Sequence, residues 1–425
     1  MSRAYASRVT ETKPSLLWPT LLALTGLNLF NYLDRQVLSA VVPRIQGEFH
    51  LTDNRVGSLA TAFMLGYFVT SPFFGYLGDR MARKWLIAGG VAVWSLGTIF
   101  SGMATGFWSL IAFRVLVGFG EASYATLSPG WIADLYSPAR RNNALAIFYI
   151  AIPVGAALGQ IIGGRVEESW GWRAAFYFAG APGLLLALGV LLLHEPARGA
   201  SEPASPAATP KVDAETQGFR AYLRLYQYPT YRLVVAGYVA QTFAMGGFAF
   251  WSAKFLYEAH GMQLKAADDF FGVALVLTGL TATLAGGFVA TWWRARHPAG
   301  YAWVLALSAL AAVPTAFAAF LLDDLTLAKA ALAATMFFLF LSTGPVNTLI
   351  LESVPVAMRA SAMAASIFLI HAFGDLPSFN IVGLLSDNLG GLKKAMLILP
   401  AALAVSAVLW LWLAVRTQRE ERVNT

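Results

Sequence analysis

Four charged side chains stand where hydrocarbon is expected. Asp34 and Arg35 are adjacent within LFNYLDRQVL (29–38), just after Asn28, Asn31 and Tyr32. Arg114 and Glu121 lie within RVLVGFGEASYATLSP (114–129). Ionisable groups inside such apolar runs are costly, and they usually face a cavity or a partner. At about 100° per residue, Asn28, Asn31, Tyr32, Asp34 and Arg35 fall within an arc of about 160°. This is a polar stripe, expected to face a central cavity and handle substrate or protons. The competing reading is a buried ion pair that only fixes helix packing. Arg114 and Glu121 share one helix face but are separated by about 10 Å of rise, too far for a direct pair, so each needs another partner. Asp34 against Arg114 or Arg35 is the candidate switching pair. A carboxylate whose arginine leaves changes its proton affinity, which is the physical requirement of proton coupling.

A second constellation is LIHAFGDLPSFNIVGLLSD (369–387), where His371 and Asp375 stand four apart on one face. Gly374 and Pro377 predict a distorted helix there. His371 is read either as a proton carrier or as a packed, hydrogen-bonded residue, and the pair is a candidate for the substrate site. Lys254 and Glu258 close another apolar run, as an outer latch or as solvated ends. Glu352 is expected at a helix end.

These residues must be positioned by membrane spans. Of the 425 residues, 57% are hydrophobic and 12% charged, against about 25% charged in soluble domains, and the mean hydropathy is +0.60. Twelve segments reach the roughly 20 apolar residues that a spanning helix needs: 16–43, 54–78, 84–104, 107–136, 143–166, 171–193, 231–257, 268–293, 300–322, 327–353, 358–386 and 392–415. Their length and continuity exclude a barrel. Residues 1–15 carry no cleavable-looking signal, so the first run reads as a retained span. A stretch rich in Pro, Ala, Ser and charge, HEPARGASEPASPAATPKVDAETQGFR (194–220), divides the spans six and six, and a short surface helix is expected at 218–228. The expected organisation is an N-terminal segment 1–15, a bundle 16–193, a linker 194–230, a bundle 231–415 and a tail 416–425. Placing both termini and the even-numbered connections on one side gives that side 19 Lys and Arg against 9 opposite. Positive charge stays inside, so both termini are expected in the cytoplasm. The net charge of +7 is therefore a topology signal, not a nucleic-acid footprint. With no cysteine, disulfides and thiolate metal sites are excluded.

SPGWIADLYSPARRNNALAIF (128–148) is similar to GPVNTLILESVPVAMRASAMAASIF (344–368), with Pro129, Asp134 and Arg141 corresponding to Pro345, Glu352 and Arg359. Two related six-helix halves are what alternating-access transporters show. GYLGDRMARKWL (75–86), between spans two and three, resembles the G-x-L-x-D-R-x-x-R-K loop of the major facilitator superfamily. That resemblance implies an all-α membrane protein of two pseudo-symmetric six-helix bundles. Gly75 and Gly78 allow close helix approach, and Arg80, Arg83 and Lys84 hold the loop in the cytosol. The second-half equivalent, GGFVATWWRAR (286–296), has Thr291 where the Asp would stand. The expected cytoplasmic gate is Asp79 with Arg141, Asp134 sharing that arginine, and Gly75, Arg80, Arg83 and Glu352 as further members. In span five, IPVGAALGQIIGG (152–164) carries small residues that let helices pack closely.

NYLDR, the span-four stretch with DLY, and HAFGDLPS…GLLSD together resemble the Spinster branch of that superfamily over nearly the whole chain; Phe379 departs from its frequent Pro. The resemblance implies a bacterial inner-membrane transporter, monomeric, carrying sphingoid phosphates or lysophospholipids. It further implies Asp34 and Glu121 as the protonatable pair and Arg35 and Arg114 as head-group ligands, with Asn31, Tyr32, His371 and Asp375 lining the substrate site. No cofactor is expected, the proton gradient being the driving force. The two arginines fit a soluble organic anion or drug-like cargo equally well. A membrane enzyme or an uncoupled lipid scramblase is the reading from another class. Against an enzyme stand the lack of a histidine cluster, of metal-ligand spacing and of a nucleophile with an evident base, and no Gly-rich phosphate loop points to ATP drive.

Overall fold

The structure is a computed structural model describing residues 14–78, 80–198, 200–201, 223–355 and 358–424. Lacking water, a chain in hydrocarbon must satisfy its backbone within each segment, and the described residues form long helices. The first six are α1 (Pro14–Phe49), α2 (Asp53–Gly78), α3 (Arg83–Gly102), α4 (Phe107–Leu135), α5 (Pro138–Trp170) and α6 (Trp172–Leu192). The next three are α7 (Pro229–His260), α8 (Leu264–Arg294) and α9 (Gly300–Leu321). The last three spans are interrupted. α10 runs Leu325–Leu341 and Thr343–Glu352, α11 runs Arg359–Ile370 and Leu376–Leu389, and α12 runs Leu392–Ala395 and Ile398–Asn424. Eleven helices are long and apolar enough to cross a membrane among the described residues. α1, the twelfth span, carries the polar stripe.

Local chemistry explains the boundaries. Proline opens α5 and α7, where a missing N–H costs nothing. Gly261 and Gly390 end α7 and α11 at φ 64° and 78°, a left-handed geometry that glycine adopts freely. Asp324 caps α10 by accepting from the Leu327 N–H at 2.8 Å. The break in α10 at Ser342 is satisfied by Gln241 of α7, whose amide donates to Leu339 O (2.8 Å) and Ser342 Oγ (2.7 Å). α11 passes through one π-helical turn at His371–Asp375, the distortion expected near Gly374 and Pro377, and then runs regularly across Phe379. Residues 416–424, expected as a tail, continue the α12 helix, with Arg416 and Glu420 paired at 2.7 Å. Of the expected linker, 202–222 lie outside the described residues, and 223–225 form a helical turn.

The chain divides into two compact units. Among the described residues, one holds the chain through Val41 and then 62–201; the other holds Val42–Thr61 and everything from 223 onward. In the first unit, α5 seats directly on α1. A Cβ added at Gly155 would lie 2.3 Å from Leu29 O, and one at Gly159 2.2 Å from Leu33 O. Only glycine permits that contact, beside the polar stripe. In the second unit, a core around Trp410, Leu305 and Ile350 joins α7, α9, α10 and α12, and the Trp410 indole donates to Val234 O at 3.1 Å.

Candidate functional site

The intramembrane charges of the first unit do not pair as expected. Arg35 Nε donates to Glu121 Oε2 at 2.6 Å, joining α1 to α4. Its guanidinium also lies over the rings of Tyr32, Phe63 and Tyr67 at 4.8, 5.2 and 5.1 Å. Asp34 bonds neither arginine: its Oδ2 accepts from the Thr98 hydroxyl of α3. Arg114 reaches the same helix, donating from Nη2 to Ser101 Oγ at 3.1 Å, and covers the Phe176 ring at 5.3 Å. Consecutive residues on a helix point about 100° apart, so Asp34 and Arg35 turn to different neighbours.

The single cavity-facing stripe is thus divided. Asn28, Asn31 and Asp34 are buried inside the bundle, and Asn28 Nδ2 donates to Phe148 O of α5 at 2.9 Å. Tyr32 and Arg35 remain partly open, the Arg35 side chain 21% exposed over a Glu121 that is 0% exposed. Arg114, expected to offer its guanidinium to a head group, is instead enclosed at 2% exposure. Packing between α3, α4 and α6 explains the difference. Asp34 Oδ1, Glu121 Oε1, Arg114 Nε and Asn31 Nδ2 are buried without a hydrogen-bond partner among the described residues. A small rearrangement therefore has ready acceptors and donors. Two carboxylates and two guanidiniums balance when all are ionised, so one added proton or one anionic ligand changes the local charge.

At the loop between α2 and α3, Asp79 and the Arg141 side chain lie outside the described residues, and with them the expected Asp79–Arg141 contact. Arg83, expected to hold the loop in the cytosol as a gate residue, is buried as a hub. It meets Asp134 at 2.7 Å and donates from Nε to Glu195 at 3.2 Å. Glu195 also accepts the N–H groups of Arg83 (2.9 Å) and Lys84 (3.1 Å), capping α3 from outside. Arg198 donates to the carbonyls of Gly78 and Met81. Arg80 only folds back on its own helix, donating to Tyr76 O at 3.1 Å. Gly75 is not a close-approach point, since an added Cβ meets Thr126 at an ordinary 3.9 Å. At Gly78 it would lie 2.2 Å from Leu127 Cδ2.

In the second unit, Glu352 faces Arg294 of α8 at 3.7 Å. Each of the repeat-related carboxylates, Asp134 and Glu352, thus meets an arginine from or beside the loop of its own half. His371 Nδ1 lies 2.9 Å from Asp375 Oδ2 across the π-helical turn. Lys254 is not a wetted helix end. Its fully buried ammonium pairs with Asp53 and reaches Glu258 at 3.4 Å. Asp53 also accepts from Gln46 (2.8 Å) and Ser386, while Asp387 accepts the N–H groups of Asp53 (2.9 Å) and Asn54 (3.0 Å) at the start of α2. Sequence reasoning missed Thr98, Ser101, Asp53, Asp387 and Glu195. Only the last had a signal, a charge two residues past the end of the expected span 171–193 and beside a proline. No group of metal-ligating residues occurs among the described residues.

The Major Facilitator Superfamily model matches residues 24–376. Human Protein spinster homolog 1 is 34% identical over 405 residues, covering 90% of this chain and 75% of that protein. The chain belongs to the Spinster branch of the major facilitator superfamily. An Arabidopsis thaliana protein named a probable sphingolipid transporter spinster homolog is 30% identical, covering 90% of this chain and 86% of its own length. The chain spans only 62% of the Drosophila melanogaster Protein spinster, at 34% identity. Among solved structures, a bacterial homologue of the human lysosomal transporter Spinster, inward-facing and unoccupied, superposes with a TM-score of 0.86 at 26% identity. That match covers 96% of this chain and 98% of that one. This Spinster-type protein is a multi-pass membrane transporter with the twelve-helix major facilitator fold, and its relatives are transporters, not enzymes.

Proposed function

We propose that the chain moves an amphipathic lipid with an anionic head, of the sphingoid phosphate or lysophospholipid class, by proton-coupled alternating access. The observation that carries this reading is the partly open Arg35 above the closed Glu121. A guanidinium offers a rigid donor fork to a phosphate, and the rings of Tyr32, Phe63 and Tyr67 hold that fork in place. An entering head group competes with Glu121 for Arg35. A buried charge stripped of its partner costs several kcal/mol, so release of Glu121 is favourable only when a proton arrives on it. Cargo and proton then bind together. Asp34 is the second proton carrier, and the enclosed Arg114 is its balancing charge instead of a head-group ligand. Tyr32 remains a proposed neighbour of the cargo in the first unit, whereas Asn31, like Arg114, is enclosed; His371 and Asp375 remain the proposed cargo residues of the second unit.

In this reading the protein sits in the inner membrane with both termini cytoplasmic, functions as a monomer and uses the proton gradient without a cofactor. The cytoplasmic gate is built around Gly75, Asp79, Arg80, Arg83, Asp134, Arg141 and Glu352, with Arg83 its centre. The names of the plant relatives support a sphingolipid-type cargo. The test is transport in proteoliposomes of a lysolipid, sphingoid phosphate and organic-anion panel, with and without a pH gradient, for wild type, Asp34→Asn and Glu121→Gln. Gradient-driven lipid uptake lost in both variants is expected. Wild-type rates with Asp34→Asn sink the proton role, and uptake of organic anions alone sinks the lipid role.

A further inference from the structure

An open-sided groove of about 550 Å³ runs between α7, α11 and α12 in the second unit. Its walls include Ala240, Phe243, Phe373, Ile398, Ala402 and Val405, and every lining residue is apolar. The groove exists because α7 and α12 present alanines there, and because the π-helical turn at His371–Asp375 carries Phe373 outward to 61% exposure. π-turns inside helices often mark functional positions. Water in such a groove would have no polar partner, since apolar cavities stay dry. In a membrane-spanning segment the occupant is therefore hydrocarbon.

Charge and length identify which hydrocarbon. α12 opens with Lys393 and Lys394. Lys393 is held by Asp323 at 2.7 Å, whereas Lys394 is exposed and makes no ion pair among the described residues. It stands four residues before Ile398, at the groove's end. From Lys394 to Val405 the helix rises about 16 Å, close to the roughly 15 Å of one leaflet's hydrocarbon. A lysine at a span's end reaches the head-group layer along its flexible stem. We infer that the groove holds one acyl chain of an anionic phospholipid of the surrounding bilayer, with the lipid phosphate on Lys394. This is a resident lipid site. It needs none of the intramembrane charges of the first unit and stands whether or not the proposed cargo is right.

The test uses the full chain in nanodiscs of zwitterionic lipid containing a little phosphatidylglycerol with a diazirine halfway along one acyl chain. After illumination, adducts are mapped by peptide mass spectrometry. Labelling is expected to concentrate on the segments around Phe373 and 398–405, above that on other exposed apolar positions such as Leu284 and Phe288. It should fall about fivefold for Lys394→Gln, and equally when the diazirine chain is carried by phosphatidylcholine. Ala402→Phe should abolish it locally and leave labelling of α8 unchanged; Ala240→Leu is the milder second filling variant if the first misfolds. Three results overturn the inference: even labelling of all exposed helices, labelling indifferent to both head group and Lys394, or no adducts on the segments around Phe373 and 398–405.

Discussion

Removing one partner of the Arg35–Glu121 pair should cost far more than removing both. At 2.6 Å and an effective dielectric near 20, the gross attraction is about 6 kcal/mol. Desolvation of Glu121 opposes this, and the open fifth of Arg35 lets water recover part of the loss. Arg35→Met keeps the stem and strands a carboxylate that is 0% exposed, so it should destabilise by about 3–5 kcal/mol. Glu121→Gln leaves an amide oxygen that still accepts a hydrogen bond, so its cost should be smaller, about 2–3 kcal/mol. The double variant strands nothing and should lie within about 1 kcal/mol of wild type. The cycle then gives a coupling energy of at least about 4 kcal/mol. The assay is reversible unfolding in mixed micelles by dodecyl sulfate titration of the four proteins. Single-variant costs that add to within about 0.5 kcal/mol would refute the pair as an energetic unit. If Asp34 swings to Arg35 when Glu121 is neutral, Glu121→Gln alone looks mild, but its cost reappears on adding Asp34→Asn.

Gly159→Ala forces a Cβ to 2.2 Å from Leu33 O and should destabilise by about 1–3 kcal/mol through overpacking, while lowering transport by displacing α1 beside Asp34. Wild-type unfolding and transport would contradict the close α1–α5 contact. Lys254→Met strands Asp53 and should cost about 3–5 kcal/mol. Because the chain has no cysteine, a single Ser58→Cys, placed where Asn380 bonds Ser58 at 2.7 Å, reports the loosening as faster maleimide labelling; an unchanged rate counts against a latch at this position. Glu195→Ala removes the acceptor of two N–H groups at the start of α3 and should cost about 1–2 kcal/mol, read as roughly tenfold faster hydrogen exchange at Arg83 and Lys84. Exchange equal to wild type would mean the cap contributes nothing.

The spans were legible because a bilayer imposes a length and a composition that any window of sequence reveals. Interruptions within them were less so. The break at Ser342 depends on Gln241, about a hundred residues earlier, filling the freed backbone groups, and no local pattern carries that. The π-turn of α11 left a local trace in Gly374 and Pro377. The hydroxyl partners left none. Thr98 and Ser101 hold the charged groups, yet Thr70, Ser71, Thr278 and Thr291 in other spans merely bond the carbonyl one turn back. Sequence does not distinguish the two uses.

The charged residues themselves were legible because each is expensive in hydrocarbon, but expense says nothing about the partner. A helical wheel assigns one face to one environment, whereas α1 has neighbours on several sides. Asp34 and Arg35, adjacent in the chain, point about 100° apart and cannot both look into one cavity. One therefore finds α3 through Thr98, and the other α4 through Glu121. Arg114 completes the crosswise set by reaching Ser101 on α3, one turn from Thr98. Asp34 and Arg114 are thus held apart by two hydroxyls on a single helix face, while both retain an unpartnered buried atom. A buried acceptor and a buried donor left open each cost about 1–3 kcal/mol, so their union is a nearby second state. Rotation or sliding of α1 against α3 is the motion that would reach it. The same motion would carry Arg35 relative to Glu121, because Asp34 and Arg35 ride on consecutive residues of one rigid helix. In the proposed cycle the switching of Asp34 and the release of Glu121 would be one event seen on two faces of α1.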